Sequence, residues 1–373
     1  MKRLVFFTTF DYPSRYAHAI HGLHMARAFH AALGERFCFI VNIVQGDSLA
    51  GIPFLQAFGQ WGRVVKTLHL RRTLAPLVLR RFFARRAPWC AAETILFSND
   101  PSLIGAAAIA AKQYGVSFVY ECHGTLDDGA LELLARSARK IIFTTQFLEQ
   151  AALTRVAGLA GKTLVLPNAV DIAAFGRVTE SKDELRQKLG LPHGFLIGYV
   201  GRFTPLQADK GLALMIDALA DLPVSVRLAL IGGTKDEIDR YRVHAENSGL
   251  SERVTFVPHV SSDLVPSYEK ACDVLAYVPP GGSSFFEKET SPMKVFEYMA
   301  AGRPMIVSDL PTIRAIAAPD EAFFVSPGDH GSYARAVMQC LTDPQMARER
   351  ASRAFARVAE NTWERRASRI LAA

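Results

Sequence analysis

The chain has 373 residues, half of them hydrophobic, and a formal charge of +7. That length exceeds one ordinary hydrophobic core and suits two domains. The charge is local: residues 1–180 hold 20 Lys and Arg against 12 Asp and Glu, which argues against general nucleic-acid binding and for a local anionic partner. Cys38, Cys90, Cys122, Cys272 and Cys340 are scattered and show no CxxC spacing. They read as reduced thiols of a cytoplasmic protein without a zinc site. The opening MKRLVFFTTFDYPSR reads as a first strand rather than a signal peptide, and no apolar run approaches a membrane span.

Short apolar runs then alternate with helical periodicity. Strands are predicted at 3–10, 37–44, 63–70, 94–100, 116–124 and 140–146, with helices between them, such as 17–33 and 130–138. The second half repeats this with strands at 195–203, 226–233, 254–260, 273–280, 304–309 and 322–327. Strands with little polar alternation, separated by helices, imply parallel sheets covered on both faces. With right-handed crossovers, each half is a doubly wound, Rossmann-like domain. The turn-rich stretch LPNAVDIAAFGRVTES (166–181) marks the join. The expected division is therefore 1–174, 175–350 and a C-terminal helix in 351–373. Ligands are expected at the carboxyl ends of the strands, in a cleft between the two domains.

The stretch EKETSPMKVFEYMAAGRP (287–304) is the most informative. Pro292 suits a first helical position, Ser291 an N-cap, and Gly302 with Pro304 a stop, so the helix is expected over 292–301. On one helix, Glu289 and Glu297 would stand about 12 Å apart. Acid/base carboxylate pairs in glycosidases stand roughly 5–9.5 Å apart. The two are thus better placed to grip two ends of a long ligand. Between them, first-turn amides and the helix dipole suit a phosphate. Hydroxyls at one end, a diphosphate in the middle and a ribose at the other describe a nucleotide sugar.

This stretch resembles the E-x7-E region of retaining glycosyltransferases of family four, which have the two-domain GT-B fold. GYVGRF…KG (198–211) is similar to that family's donor-phosphate loop, LPNAVD (166–171) to its Asn motif, YECHG (120–124) to its strand-end His motif, and NTWERRA (361–367) to its C-terminal Trp motif. The Trp motif lies on a helix that returns to the first domain in this fold. The resemblance implies that Arg202 and Lys210 neutralise the donor diphosphate and that the chain around Pro292, Met293 and Lys294 cradles it. It further implies that Glu297 accepts from the ribose diol, that Glu289 holds the transferred sugar and that His123 reaches that sugar. From Arg202 to Lys210 the spacing is eight, against a usual five or six. Glu287 competes with Glu289, and Ala169 stands where Gly is usual. The family's Gly-rich first loop is replaced by YPSRYAHAIHG (12–22), where Ser14 or Arg15 would serve acceptor or phosphate.

The implied reaction is transfer of a hexose to a glycan, lipid-linked or other hydroxyl acceptor, with no cofactor and no metal. His18, His21 and His24 share helical spacing, but no nearby carboxylate completes a metal site in the sequence, so packing or acceptor contacts are the expectation. RRTLAPLVLRRFFARRAPW (71–89) carries six arginines and no acid. On a helix from Pro76, Val78, Leu79, Phe82 and Phe83 share one side, opposite Arg80, Arg81 and Arg85. This is either a solvated basic face or attachment of the Arg71–Arg86 region to anionic lipid. The rival readings are a nucleotide-sugar epimerase and a non-catalytic nucleotide-sugar-binding subunit. An oxidoreductase is disfavoured because no GxGxxG follows either first strand.

Overall fold

Buried strands need partners on both edges and cover on both faces, and the chain meets this need twice. The structure is a computed structural model that describes residues 2–12, 14, 17–43, 49, 51–57, 68–203 and 209–373, without the side chains of residues 43 and 68–72. Arg15, and Arg71 and Arg72 as side chains, therefore lie outside the described residues. Two units result: Met1–Pro167 with Trp363–Ala373, and Asn168–Thr362. The sequence had placed these junctions at 174/175 and 350/351.

The first unit holds seven strands: β1 Arg3–Tyr12, β2 Phe37–Ile43, β3 Phe54–Gln56, β4 Thr94–Ser98, β5 Ser117–Cys122, β6 Lys140–Phe143 and β7 Thr163–Val165. They pair in the order β3-β2-β1-β4-β5-β6-β7, each pair parallel. The second unit holds β8 Phe195–Val200, β9 Val226–Gly233, β10 Val254–Pro258, β11 Val274–Tyr277, β12 Met305–Ser308 and β13 Phe323–Val325. Their order is β10-β9-β8-β11-β12-β13, also parallel throughout. Each sheet reverses its winding at its first strand, between β1 and β4 and between β8 and β11. Ligands of open α/β sheets sit in the crevice just beyond such a point.

Aromatic packing fixes the centre of the first sheet. Phe6 of β1 lies with ring centroids 4.9 Å from both Phe39 of β2 and Phe97 of β4, and Phe29 of the helix Ala17–Leu33 closes on it edge-on. The helix Trp363–Ala372 packs on Ala17–Leu33 in the same unit. There Trp363, nearly fully buried, stacks on His24 at 5.2 Å and meets His21 edge-on at 5.0 Å.

Two expectations change. Residues 68–70, read as the end of a strand, open the helix Leu68–Ala84 instead, and Pro76 lies inside it rather than at its start. An interior proline costs about 3 kcal/mol. Ala75, Leu79, Phe82 and Phe83 are buried in the first core, and that burial outweighs the kink. Arg80, Arg81 and Arg85 are exposed, so the apolar side does pack inward as the sequence suggested. No helix among the described residues is long and apolar enough to cross a membrane.

In the second unit one glycine has no substitute. Gly211 has φ +84°, and a Cβ there would lie 2.1 Å from the carbonyl oxygen of Val278. Gly211→Ala is expected to destabilise this unit by about 2–4 kcal/mol. Urea unfolding should show that loss; a midpoint equal to wild type would contradict the packing described.

Candidate functional site

Two clusters of charge sit at strand ends, one in each unit. In the second unit, β8 ends at Val200 and the chain turns through Gly201 to Arg202. The Tyr199 hydroxyl donates to the Arg202 carbonyl at 2.6 Å, which fixes the turn. A Cβ on Gly201 would lie 2.7 Å from Cε of Lys294. The missing side chain thus lets the lysine stem cross the turn. Further along, the Asp209 Oδ1 accepts from the amides of Gly211 and Leu212 and from the Tyr241 hydroxyl, each at 3.1 Å. Asp209 thereby anchors Lys210, whose Nζ lies 5.9 Å from the centre of the Tyr277 ring.

The helix expected over 292–301 runs Met293–Ala301 and ends at Gly302 with φ +63°. Ser291 is not its N-cap. Pro292 takes that position, and its carbonyl accepts from Val295 N at 3.1 Å. Ser291 is used elsewhere: its Oγ accepts from the backbone N–H of Asn168 at 2.9 Å, and its carbonyl accepts from Asn168 Nδ2 at 2.6 Å. Asn168 of the LPNAVD motif therefore pins the approach to this helix. Pro292 has no N–H, so the first-turn donors are the amides of Met293 and Lys294.

Lys294 Nζ lies 2.6 Å from Glu297 Oε2 and 3.9 Å from Glu269 Oε1. Glu269, in the helix Val265–Ala271, is fully buried. Burial first, and the neighbouring Glu297 second, raise its pKa well above the usual carboxylate range, against the pull of Lys294. Glu297 is thus the nearer carboxylate partner of Lys294. Burial pushes Lys294 down, but Glu297 and Glu269 outweigh it and leave its pKa raised. Lys210 goes the other way: burial, then Lys294, then Arg202 depress it to about 7. The structure therefore brings Arg202, Lys210, Lys294 and Glu297 together, with Glu269 beneath them.

Glu289 ends a π-helical turn, Phe285–Glu289, rather than lying in an open loop. It accepts from Ser284 Oγ at 3.2 Å. Its competitor Glu287 accepts from the Gly282 amide at 2.7 Å and so closes the preceding loop. Ser14, two residues beyond β1, is half-buried.

In the first unit, β5 ends in Glu121 and Cys122, and His123 follows. Glu121 is fully buried. Its Oε1 lies 2.8 Å from His21 Nε2, 3.0 Å from His123 Nε2 and 2.6 Å from Arg366 Nη2. Burial pushes the Glu121 pKa up, but Arg366, His21 and His123 together hold it well below the carboxylate range. Burial lowers His21 to about 4, so its ring is neutral at physiological pH. The sequence reading found no carboxylate near the histidine set; Glu121 supplies one. His21, Glu121 and His123 place ligand atoms within 4.8 Å of one another, a grouping that a cation could use. The guanidinium of Arg366 already lies on the same oxygen, and that disfavours a further cation there. Glu121, Arg366 and Glu269 were missed by sequence reasoning. The signal for Glu121 was an acid inside a strand that shows no polar alternation.

The sequence model of glycosyl transferases group 1 matches residues 181–357, most of the second unit. The D-inositol 3-phosphate glycosyltransferase of Mycolicibacterium smegmatis is 30% identical over 216 residues, 56% of this chain and 46% of its own length. The phosphatidyl-myo-inositol mannosyltransferase of Mycobacterium leprae is 24% identical over 237 residues, 62% of this chain and 58% of its own. The chain thus spans about half the length of the curated relatives it matches. Among solved structures, Anabaena HepE, crystallised with UDP and glucose, aligns over the whole of both chains with a TM-score of 0.73 and 21% identity. A glycosyltransferase from Rickettsia africae aligns over 100% of this chain and 97% of its own with a TM-score of 0.78 and 15% identity. The fold is that of these proteins: two Rossmann-like parallel sheets in one chain, the GT-B class.

The depressed Lys210 gives a signed prediction. An anion at this cluster restores the charge of Lys210, so anion binding takes up a proton above pH 7 and weakens as pH rises from about 7. Titrating a nucleoside diphosphate in buffers of different ionisation enthalpy should show this uptake at pH 8, and Lys210→Met should remove it. Equal uptake in wild type and variant would contradict the assignment.

Proposed function

We propose that the protein is a retaining glycosyltransferase that moves a hexose from a nucleotide diphosphate sugar to a hydroxyl acceptor without a metal ion. One observation carries this reading: Arg202, Lys210 and Lys294 converge at the switch point of the second sheet, where burial first, and the neighbouring Lys294 and Arg202 second, depress Lys210. Cations held together against their own repulsion are arranged for a polyanion. The amides of Met293 and Lys294 add donors, and the helix dipole favours negative charge there. The match of residues 181–357 to group 1 glycosyl transferases makes that polyanion the diphosphate of a sugar donor.

The chemistry follows from charge. As the glycosidic bond breaks, the leaving diphosphate gains negative charge. Fixed cations and amides stabilise that charge without reorganising, as a divalent ion would do elsewhere. Glu297 takes the ribose diol and Glu289 the hydroxyls of the transferred sugar. No side chain is singled out as a covalent nucleophile. We therefore favour attack on the face from which the diphosphate departs, with a phosphate oxygen receiving the acceptor proton.

The names of the relatives point the acceptor toward a phosphorylated or lipid-linked polyol. The exposed Arg80, Arg81 and Arg85 support attachment to an anionic membrane surface, worth about 1 kcal/mol per basic residue. Co-sedimentation at low salt should then favour anionic over neutral vesicles, and equal partition would remove this part of the reading.

Calorimetric titration of UDP, GDP, ADP and dTDP with EDTA present tests the core of it. One nucleotide should bind, and Arg202→Ala should weaken it at least roughly tenfold, about 1.4 kcal/mol. Glu297→Ala should act mainly on nucleotide affinity and Glu289→Ala mainly on kcat. Binding of none of the four would refute the donor site. Binding without transfer to any acceptor in crude membranes would favour a non-catalytic subunit, and conversion of the donor sugar alone an epimerase.

A further inference from the structure

We propose that Glu121 is the positioning residue for His123, and that Arg366 fixes Glu121 in that task. The proposal rests on the glycosyltransferase reading only for what His123 then does to a sugar. The geometry stands by itself.

Glu121 and His123 are two positions apart at the end of β5, so their side chains leave on the same side of the chain. Residues of the helices Ala17–Leu33 and Trp363–Ala372 meet them there. His21 and Met25 come from the first helix and Arg366 from the second. Arg366 is itself buried, and its fork is fully used. Nη2 reaches Glu121 Oε1 at 2.6 Å and the Leu166 carbonyl at 3.1 Å, Nε donates to the Pro167 carbonyl at 2.9 Å, and Nη1 lies 3.4 Å from Met25 Sδ. A guanidinium tied to two successive carbonyls just beyond β7 cannot follow the carboxylate if it moves. It holds Oε1 at one point.

That point is 3.0 Å from His123 Nε2. Nε2 makes no well-aligned hydrogen bond, but a ring lone pair facing a carboxylate at that distance is repelled, so a neutral His123 ring carries its proton on Nε2. The ring is thereby set in one orientation and one tautomer, and Nδ1 is left as the nitrogen with a lone pair. His123 is partly exposed, with 28% of its side chain accessible, whereas Glu121 is sealed. The exposed ring is the part that meets a ligand, and the sealed carboxylate acts through it. Through Nδ1, His123 can then accept a hydrogen bond from a ligand hydroxyl. His21 completes the seal: its Nε2 lies 2.8 Å from the same oxygen, and its ring packs edge-on against His123 at 4.5 Å between centroids.

Selective ¹⁵N-histidine labelling reads this without any substrate. Wild type should show His123, assigned by its loss in His123→Ala, as a single Nε2–H tautomer. In Glu121→Gln it should become a mixture or shift toward Nδ1–H. The same tautomer population in both proteins would overturn the proposal, whether or not the protein transfers sugar. If wild type does transfer sugar, Glu121→Gln should lower kcat roughly 10–100-fold with donor KM nearly unchanged, and combining it with His123→Ala should cost no more than His123→Ala alone. Losses that multiply would mean that Glu121 acts independently of His123. Should Glu121→Gln fold poorly, Glu121→Met with Arg366→Met removes both buried charges together and should restore the melting temperature. Its kcat should stay low, and a recovered kcat would reduce Glu121 to a purely structural role.

Discussion

A parallel sheet covered on both faces leaves its charged groups little room except at the carboxyl ends of its strands. β4, β8, β11 and β12 are nearly sealed along their whole lengths. Charge inside such a strand is unaffordable unless it is paired. Glu121 at the end of β5 and Arg202 just past β8 obey this constraint, and the chemistry of each unit collects where it permits.

The two clusters solve opposite problems. In the first unit one carboxylate is surrounded by three basic groups, so Glu121 remains ionised despite complete burial. In the second, two lysines and an arginine face Glu297, while burial and Glu297 push Glu269 beneath them toward its neutral form. The first cluster is internally balanced and therefore suited to holding a ring still. The second carries an excess of positive charge and therefore suits an anionic ligand. Tyr199, Asp209 and Asn168 fix the backbone from which Arg202, Lys210 and Lys294 project.

The sequence made most of this architecture legible. Among the described residues, eleven of the thirteen strands coincide with predicted apolar runs, because strands buried on both faces write themselves as continuous hydrophobic stretches. β3 and β7, three residues each, are too short to carry a period. The part of the helix Leu68–Ala84 before Pro76 was hidden, because an interior proline is disfavoured and only burial of Ala75 and Leu79 offsets it. Arg202, Lys210, Lys294 and Glu297 were readable because they lie within two short motifs. The Arg366–Glu121 pair was not, since its partners are 245 residues apart and no local pattern joins them. Ser291 looked like a helix cap by its neighbours, yet its real partner, Asn168, is 123 residues away.

That separation also has a meaning in time. A ribosome adding about 5–20 residues per second takes roughly 12–50 s to travel from Glu121 to Arg366. During that interval the whole second unit is synthesised, and the first unit's sheet already has all seven strands but lacks its closing guanidinium. Until the last helix arrives, Glu121 must stay hydrated, or protonated, or the sheet end around it must stay open. The nascent first unit therefore waits on a residue that is synthesised only after the whole second unit.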